Sequence, residues 1–228
     1  MEFSIIQNNI NKIFRCLEGS DTQLIAVTKT RTSEEINAAI ACGVRHIGEN
    51  RVQELLEKYD HIQRENVSIH LIGRLQTNKV KYIIDKVDLI HSVDSYRLAA
   101  EISKRASAIN KVQDILVEIN IGGEESKGGI LPDELCDFLK NISSLPSLRI
   151  RGLMAIPPIQ IEPHQNYEYF LKMRQLLVDI SNKKLDNINM DILSMGMSDD
   201  YEDAIKAGSS FIRVGRGIFG QRNSTEVK

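Results

Sequence analysis

Eight short apolar, β-branched runs alternate with amphipathic helical patterns along this chain, and that alternation limits the folds open to it. Strand patterns occupy residues 24–28, 45–48, 68–72, 89–93, 115–120, 149–156, 192–195 and 211–214. Helical patterns fill the intervals at 33–42, 51–59, 77–84, 96–110, 133–141, 164–182 and 200–207, and a further amphipathic helix over 3–17 precedes the first strand. Strands separated by helices build parallel sheets, because a parallel neighbour can be reached only through a crossover. Eight such units predict an α/β fold, a (β/α)8 TIM barrel with an additional N-terminal helix. The 228 residues fall close to the usual barrel length of about 250, so the chain reads as one domain over 1–228, with a polar tail at 221–228. A doubly wound open sheet is the alternative, but no G-x-G-x-x-G follows the first strand.

Local signals agree with these boundaries. Thr32 with Glu35, and Asp199 with Glu202, have the spacing of capping boxes, in which a side chain at each end satisfies a free amide of the first helical turn. Pro132 suits a first helical turn. Gly43 and Gly208 follow helical patterns, where a left-handed cap is wanted.

Composition excludes several functions. The net charge of −2 gives no electrostatic pull toward nucleic acid or an anionic membrane. No apolar stretch approaches the roughly 18 residues of a membrane span. The N-terminus lacks the basic leader and apolar core of a secretory signal. Cys16, Cys42 and Cys136 are odd in number and far apart, without metal-ligand spacing, and each reads as a small buried residue in a helix. A cytoplasmic protein is expected.

Lys29 is the residue with the most chemical content. It closes the buried run Leu24-Ile25-Ala26-Val27-Thr28. Burying an ammonium is costly unless it is paired or its pKa falls, and desolvation favours the neutral amine that attacks a carbonyl. Alone, such a lysine is better explained by a side chain that reaches solvent. Its companions change that reading. A barrel carries its active site at the C-terminal ends of its strands. Those ends here are Lys29, Gly48-Glu49-Asn50, the polar run 73–79, Asp94-Ser95, the glycine-rich run 121–129, Pro157-Pro158, the run 195–199 and Gly215-Arg216-Gly217. One such loop is ordinary turn chemistry, whereas many on one face indicate a ligand site.

The last two loops read as a phosphate cradle, a common use of the loops after strands seven and eight in barrels. Ser194-Met195-Gly196-Met197-Ser198 precedes a helix, whose free amides and dipole attract anions. Gly215-Arg216-Gly217 precedes the short apolar turn Ile218-Phe219. Arg213, set among Phe211, Ile212 and Val214, is placed to face the barrel interior and needs an acceptor there, from a ligand or from a structural carboxylate. A carbonyl-binding lysine, a phosphate cradle and an interior arginine suit pyridoxal phosphate. An arginine at the ring nitrogen would keep that nitrogen unprotonated and weaken the ring as an electron sink. His46 and His70 lie inside strand patterns and read as satisfied barrel histidines, while His61, His91 and His164 carry no pattern. Lys127, in a charged, glycine-flanked loop, is a minor candidate.

These segments resemble the pyridoxal-phosphate homeostasis proteins, single-barrel relatives of the alanine racemase N-terminal domain. The resemblance is carried by Ala26-Val27-Thr28-Lys29-Thr30, His46-Ile47-Gly48-Glu49-Asn50, the run 70–79, Glu118-Ile119-Asn120-Ile121 with Ser126-Lys127-Gly128, Arg151-Gly152-Leu153-Met154, the run 193–198 and the run 213–220. It spans the chain from the first strand to the last. It implies a fold-type III barrel that binds pyridoxal 5'-phosphate, with Lys29 as Schiff-base lysine, Ser194, Gly215 and Arg216 at the phosphate, and Arg213 at the ring nitrogen. The implied cofactor-binding set is Lys29, Asn50, Ser194, Gly196, Arg213, Gly215, Arg216 and Gly217, with no catalytic residue and no metal ligand. Arg216 departs from the family, which often has a small hydroxyl residue there, so backbone amides or the arginine's own charge must make that contact.

The implied role is to carry or buffer the cofactor as a monomer, with transient contacts to apo-enzymes that need it. Racemases of this fold take a second base, a tyrosine, from a C-terminal domain that is not expected here. A low-activity amino-acid racemase and a Schiff-base aldolase acting on a phosphorylated substrate remain as alternatives.

Overall fold

The computed structural model describes residues 2–124, 126–158, 164–185 and 187–221. Eight parallel strands close into a barrel in sequence order: β1 Gln23–Val27, β2 His46–Glu49, β3 Ser68–Leu71, β4 Leu89–Val93, β5 Gln113–Ile119, β6 Leu148–Ala155, β7 Ile188–Ser194 and β8 Phe211–Val214. Closure comes from β8 pairing back onto β1, with Ile25 opposite Arg213, which excludes the open sheet. All eight expected strands are present, displaced by a residue or two at most ends. The exception is β7, which begins four residues early.

The outer layer is α1 Glu2–Leu17, α2 Ser33–Ala41, α3 Val52–Lys58, α4 Tyr96–Ala108, α5 Leu135–Ser143, α6 Tyr167–Asn182, α7 Tyr201–Lys206 and α8 Arg216–Phe219. Ile6, Ile10 and Ile13 recur at helical spacing on α1 and are buried. This extra helix lies against α2, α8 and β1, on a flank that the four-residue α8 is too short to cover. Residues 77–84, expected as an α-helix, form the 3-10 segment Thr77–Tyr82 instead. A single short segment gains little from α-helical cooperativity, and Val80, Ile83 and Ile84 bury equally well from the tighter turn. The Thr32–Glu35 capping box is made. The Asp199–Glu202 box is not: Asp200 precedes α7, and its Oδ1 accepts from the Met197 amide at 2.6 Å. Gly43 and Gly208 have φ of 100° and 84°, the left-handed conformation expected after a helix.

Two apolar layers result. The larger fills the space between strands and helices. The smaller lies inside the barrel and consists of Ile25, Leu89, Leu116, Met154 and Phe211, with Ile192 against it. Barrel interiors are usually filled by branched aliphatic side chains. Here His46, His70, His91, Ser194 and Arg213 share that space. At Gly152 the pairing of β6 shifts register against both neighbours. Its φ is 153°, and an added Cβ would overlap the Ile192 carbonyl oxygen, so this glycine serves a β-bulge. Cys16, expected to be buried, is exposed, and Cys42 and Cys136 are half-buried. Of the expected polar tail, residues 222–228 lie outside the described residues. Among the described residues no helix is long and apolar enough to cross a membrane.

Candidate functional site

A cleft of about 660 Å³ opens at the C-terminal ends of the strands, a volume within the range of small-molecule sites. Lys29, Asn50, Arg213, Gly215 and Arg216 line it, so five of the eight residues singled out in the sequence converge on one cavity.

Lys29 is half-buried at the end of β1, and the backbone on either side of it is gripped by α3. Lys58 Nζ donates to the Thr28 carbonyl at 3.0 Å and to Glu49 Oε1 at 2.9 Å. The Thr28 hydroxyl donates to the same carboxylate oxygen at 2.7 Å. One residue beyond Lys29, the Thr30 amide donates to Glu54 Oε2 at 2.7 Å. Thr30 has φ of 63°, uncommon for a β-branched residue, and these contacts hold it there. Burial raises the pKa of the Glu49 carboxyl, and Lys58 opposes that shift. The sequence reading missed Glu49, Glu54 and Lys58 as supports. The available signal was the Glu54–Lys58 spacing on one helix face.

Asn50 follows β2, and its buried Oδ1 has no hydrogen-bond partner among the described residues. Gly73 lets the Asn50 backbone come close, since a Cβ there would lie 2.7 Å from the Asn50 Cα. A buried polar atom without a partner is costly unless a ligand satisfies it.

The two glycine loops meet as expected, but through different side chains. Ser194, expected at the phosphate, is fully buried and does not line the cleft. As the last residue of β7 it faces the barrel interior, where its Oγ accepts from Arg213 at 2.6 Å and lies 2.9 Å from His91 Nδ1. Ser198, four residues on and past the strand end, lines the cleft instead. Its hydroxyl accepts from the Gly217 amide at 3.3 Å and ties the two loops together. Gly196, also outside the cleft lining, has φ of 90° and packs where a Cβ would collide with that of Ala204, so it shapes the loop. Gly217 is likewise shaped by packing: a Cβ would lie 2.7 Å from Val214 Cγ1. Arg216 is exposed at the rim and pairs with Asp199 Oδ2 at 2.5 Å. Because α7 has six residues and α8 four, the donors at these two turns are loop groups rather than the ends of long helices.

Arg213 is buried and also lines the cleft. Its guanidinium donates to Ser194 Oγ and, at 2.9 Å, to the Ala155 carbonyl. Burial lowers its pKa to about 10, against the pull of Glu118 and Asp200, so it stays charged at neutral pH. The expected histidine pattern is larger than the sequence suggested. His46, His70 and His91 form a row, with Nδ1···Nε2 distances of 3.1 Å between the first two and 2.8 Å between the second two. All three rings pack around Phe211. His91 carried no sequence signal, since its partners lie 21 and 103 residues away. Lys127 stays out of the cleft, with Nζ on Glu124 Oε2 and the Pro157 carbonyl.

Comparison with known proteins gives a consistent result. Residues 3–223 match the family described as alanine racemase, N-terminal domain. The chain is 45% identical over 200 residues to a pyridoxal phosphate homeostasis protein of Aquifex aeolicus (strain VF5), covering 88% of this chain and 87% of that one. It is 40% identical over 203 residues to the protein of that name from Escherichia coli (strain K12), covering 88% and 86%. The structure of PipY from Synechococcus elongatus PCC7942 with PLP bound superposes with a TM-score of 0.87 at 32% identity, over 94% of this chain and 100% of that one. An alanine racemase of Clostridium difficile 630 shares the fold, with a TM-score of 0.76 at 16% identity over 99% of this chain and 59% of the racemase.

Proposed function

This chain belongs to the alanine racemase N-terminal domain family, and from that premise we propose that it binds pyridoxal 5'-phosphate and buffers the cell's supply of it. The observation that carries this reading is the convergence of Lys29, Asn50, Ser198, Arg213 and the Gly215–Arg216 turn on one cleft. The residues fit the cofactor. They offer one amine, a glycine-shaped anion cradle with a rim arginine, and a buried Asn50 oxygen in want of a donor. When bound, the cofactor supplies an aldehyde and an electron-poor ring. Lys29 is the amine for the aldehyde. Ser198, Arg216 and the Gly215 amide would hold the phosphate, with Gly217 tying its turn to the Ser198 hydroxyl; Ser194, buried behind Arg213, would act from a distance. Arg213 and Asn50, which line the same cleft, would lie on the side of the ring, and Gly196 shapes the cradle from behind.

A carrier reading is supported by what the cleft offers. Among the described residues lining it there is no Tyr, His, Cys or Glu, and Asp199 is paired with Arg216. General acid–base help, typically worth 10²–10⁴-fold, comes from side chains of those kinds. The relatives' names and the PLP-bound neighbour support the same reading over an aldolase or racemase. We take the protein to act as one domain, as a monomer in the cytoplasm, with passing contacts to apo-enzymes.

The test is borohydride reduction of the protein incubated with the cofactor, followed by peptide mapping. A pyridoxyl mass on the Lys29 peptide is expected, together with negligible racemisation of alanine by the loaded protein. Modification confined to other lysines overturns the site, and rapid Lys29-dependent racemisation overturns the carrier role.

A further inference from the structure

The row of interior side chains has a direction, and the direction can be read from its last member. Arginine has donors only. The Arg213 guanidinium donates to Ser194 Oγ, so that oxygen is an acceptor there. The Ser194 hydroxyl hydrogen then needs an acceptor of its own, and among the described residues the one within reach is His91 Nδ1 at 2.9 Å. With Nδ1 accepting, a neutral His91 carries its proton on Nε2 and donates to His70 Nδ1 at 2.8 Å. His70 in turn donates from Nε2 to His46 Nδ1 at 3.1 Å. Every link is satisfied when all three rings hold the same tautomer. The opposite order leaves the fully buried Ser194 hydroxyl as a donor with no acceptor, which is costly.

We propose that His46, His70, His91 and Ser194 form a one-way hydrogen-bond row that positions the Arg213 guanidinium at the cofactor cleft. The row climbs the barrel from the first residue of β2 through β3 and β4 to the last residue of β7. It anchors one end of the guanidinium while the Ala155 carbonyl anchors another, leaving the remaining donors for the cleft that Arg213 lines. Neutral rings are required, and burial lowers the pKa of each histidine. Among the described residues the histidines make no hydrogen bond to a side chain lining the cleft and reach Arg213 through Ser194, so they are positioning residues. The consequence for the cofactor rests on the function proposed above; the existence of the row does not.

Two measurements separate these. In the cofactor-free protein, long-range ¹H–¹⁵N spectra of the imidazole rings read the tautomers directly. All three histidines are expected as neutral Nε2–H tautomers near neutral pH, and a protonated His91 Nδ1 overturns the row even if the cofactor binds as proposed. In the cofactor-loaded protein, the pH midpoint of the visible absorption band reads the charge held near the ring. Ser194→Ala cuts the row beside Arg213, and His91→Leu cuts it one link earlier. Each is expected to move the midpoint by about half a pH unit or more. His91→Asn, whose amide oxygen can occupy the Nδ1 acceptor position, should restore it. Equal midpoints in the parent and both cut variants, at unchanged cofactor stoichiometry, overturn the positioning role. Ser194→Ala preserves the packing of the rings, so the test stands if His91→Leu does not fold.

Discussion

Lys58 Nζ lies 2.9 Å from Glu49 Oε1, and the pair joins helix α3 to the end of strand β2 beneath the turn that carries Lys29. The Glu49 side chain is completely buried and its second oxygen has no partner among the described residues. The carboxylate therefore depends on Lys58 and the Thr28 hydroxyl for its charge.

Lys58→Met should destabilise the protein by roughly 3 kcal/mol, because breaking a buried pair from one side strands the other charge. Glu49→Gln should cost less, since the amide keeps an acceptor for Thr28 and Lys58 without the buried charge. Urea denaturation of both variants gives the comparison. Equal losses would show that the pair contributes packing rather than charge.

The serines should separate cleanly. Ser198→Ala is expected to weaken cofactor binding by about tenfold, the worth of one hydrogen bond to a charged group, with little change in stability. Ser194→Ala should lower stability by about 1–3 kcal/mol, because Arg213 and His91 lose a common partner in the buried interior. Equilibrium dialysis and denaturation on both variants check this. A tenfold affinity loss confined to Ser194→Ala would return the phosphate contact to that residue.

Arg216 and Asp199 are both exposed, so their ion pair should contribute under about 1 kcal/mol to stability. Its effect should appear in phosphate affinity. Asp199→Asn removes a negative charge from the cradle and is expected to tighten the phosphorylated cofactor by a few-fold, while Arg216→Ala weakens it. Pyridoxal, which has no phosphate, should be indifferent to both. Isothermal titration with the two ligands distinguishes these outcomes.

Acid should unfold this protein early. Burial lowers the pKa of His70 to about 3 and that of His91 well below its ordinary value, while Asp88 partly offsets the depression at His46 and the nearby Arg213 charge adds to it at His91. A depressed pKa means that the folded state refuses a proton the unfolded state accepts. Stability is then fully present above pH 6.5 and falls with acidification toward the folded value, by about 1.4 kcal/mol per pH unit for each histidine kept neutral. His70→Gln should remove one such increment from the slope between pH 6 and 4, measured by denaturation across that range. An unchanged slope would place the titration elsewhere.

The fold was legible in the sequence because strand and helix alternation is a local property. Each apolar run and each helical spacing is written in consecutive residues, and eight units in register can close only one way. Lys29, Arg213 and the Gly215–Gly217 turn were legible for the same reason: each sits at a strand end or within a strand whose limits can be counted. Tertiary structure decided which side chain of a motif faces which space. Ser194 and Ser198 are equivalent as letters in one five-residue run, but the first is the last residue of β7 and points into the barrel, while the second lies beyond the strand at the cleft. The Lys58 clamp and the histidine row were beyond the sequence because their partners are separated by up to 103 residues, and only barrel closure brings β4 and β7 side chains within 2.9 Å. Local patterning determines elements and their order. Which polar groups satisfy one another inside a closed barrel depends on strand register, and register exists only once the whole sheet has formed.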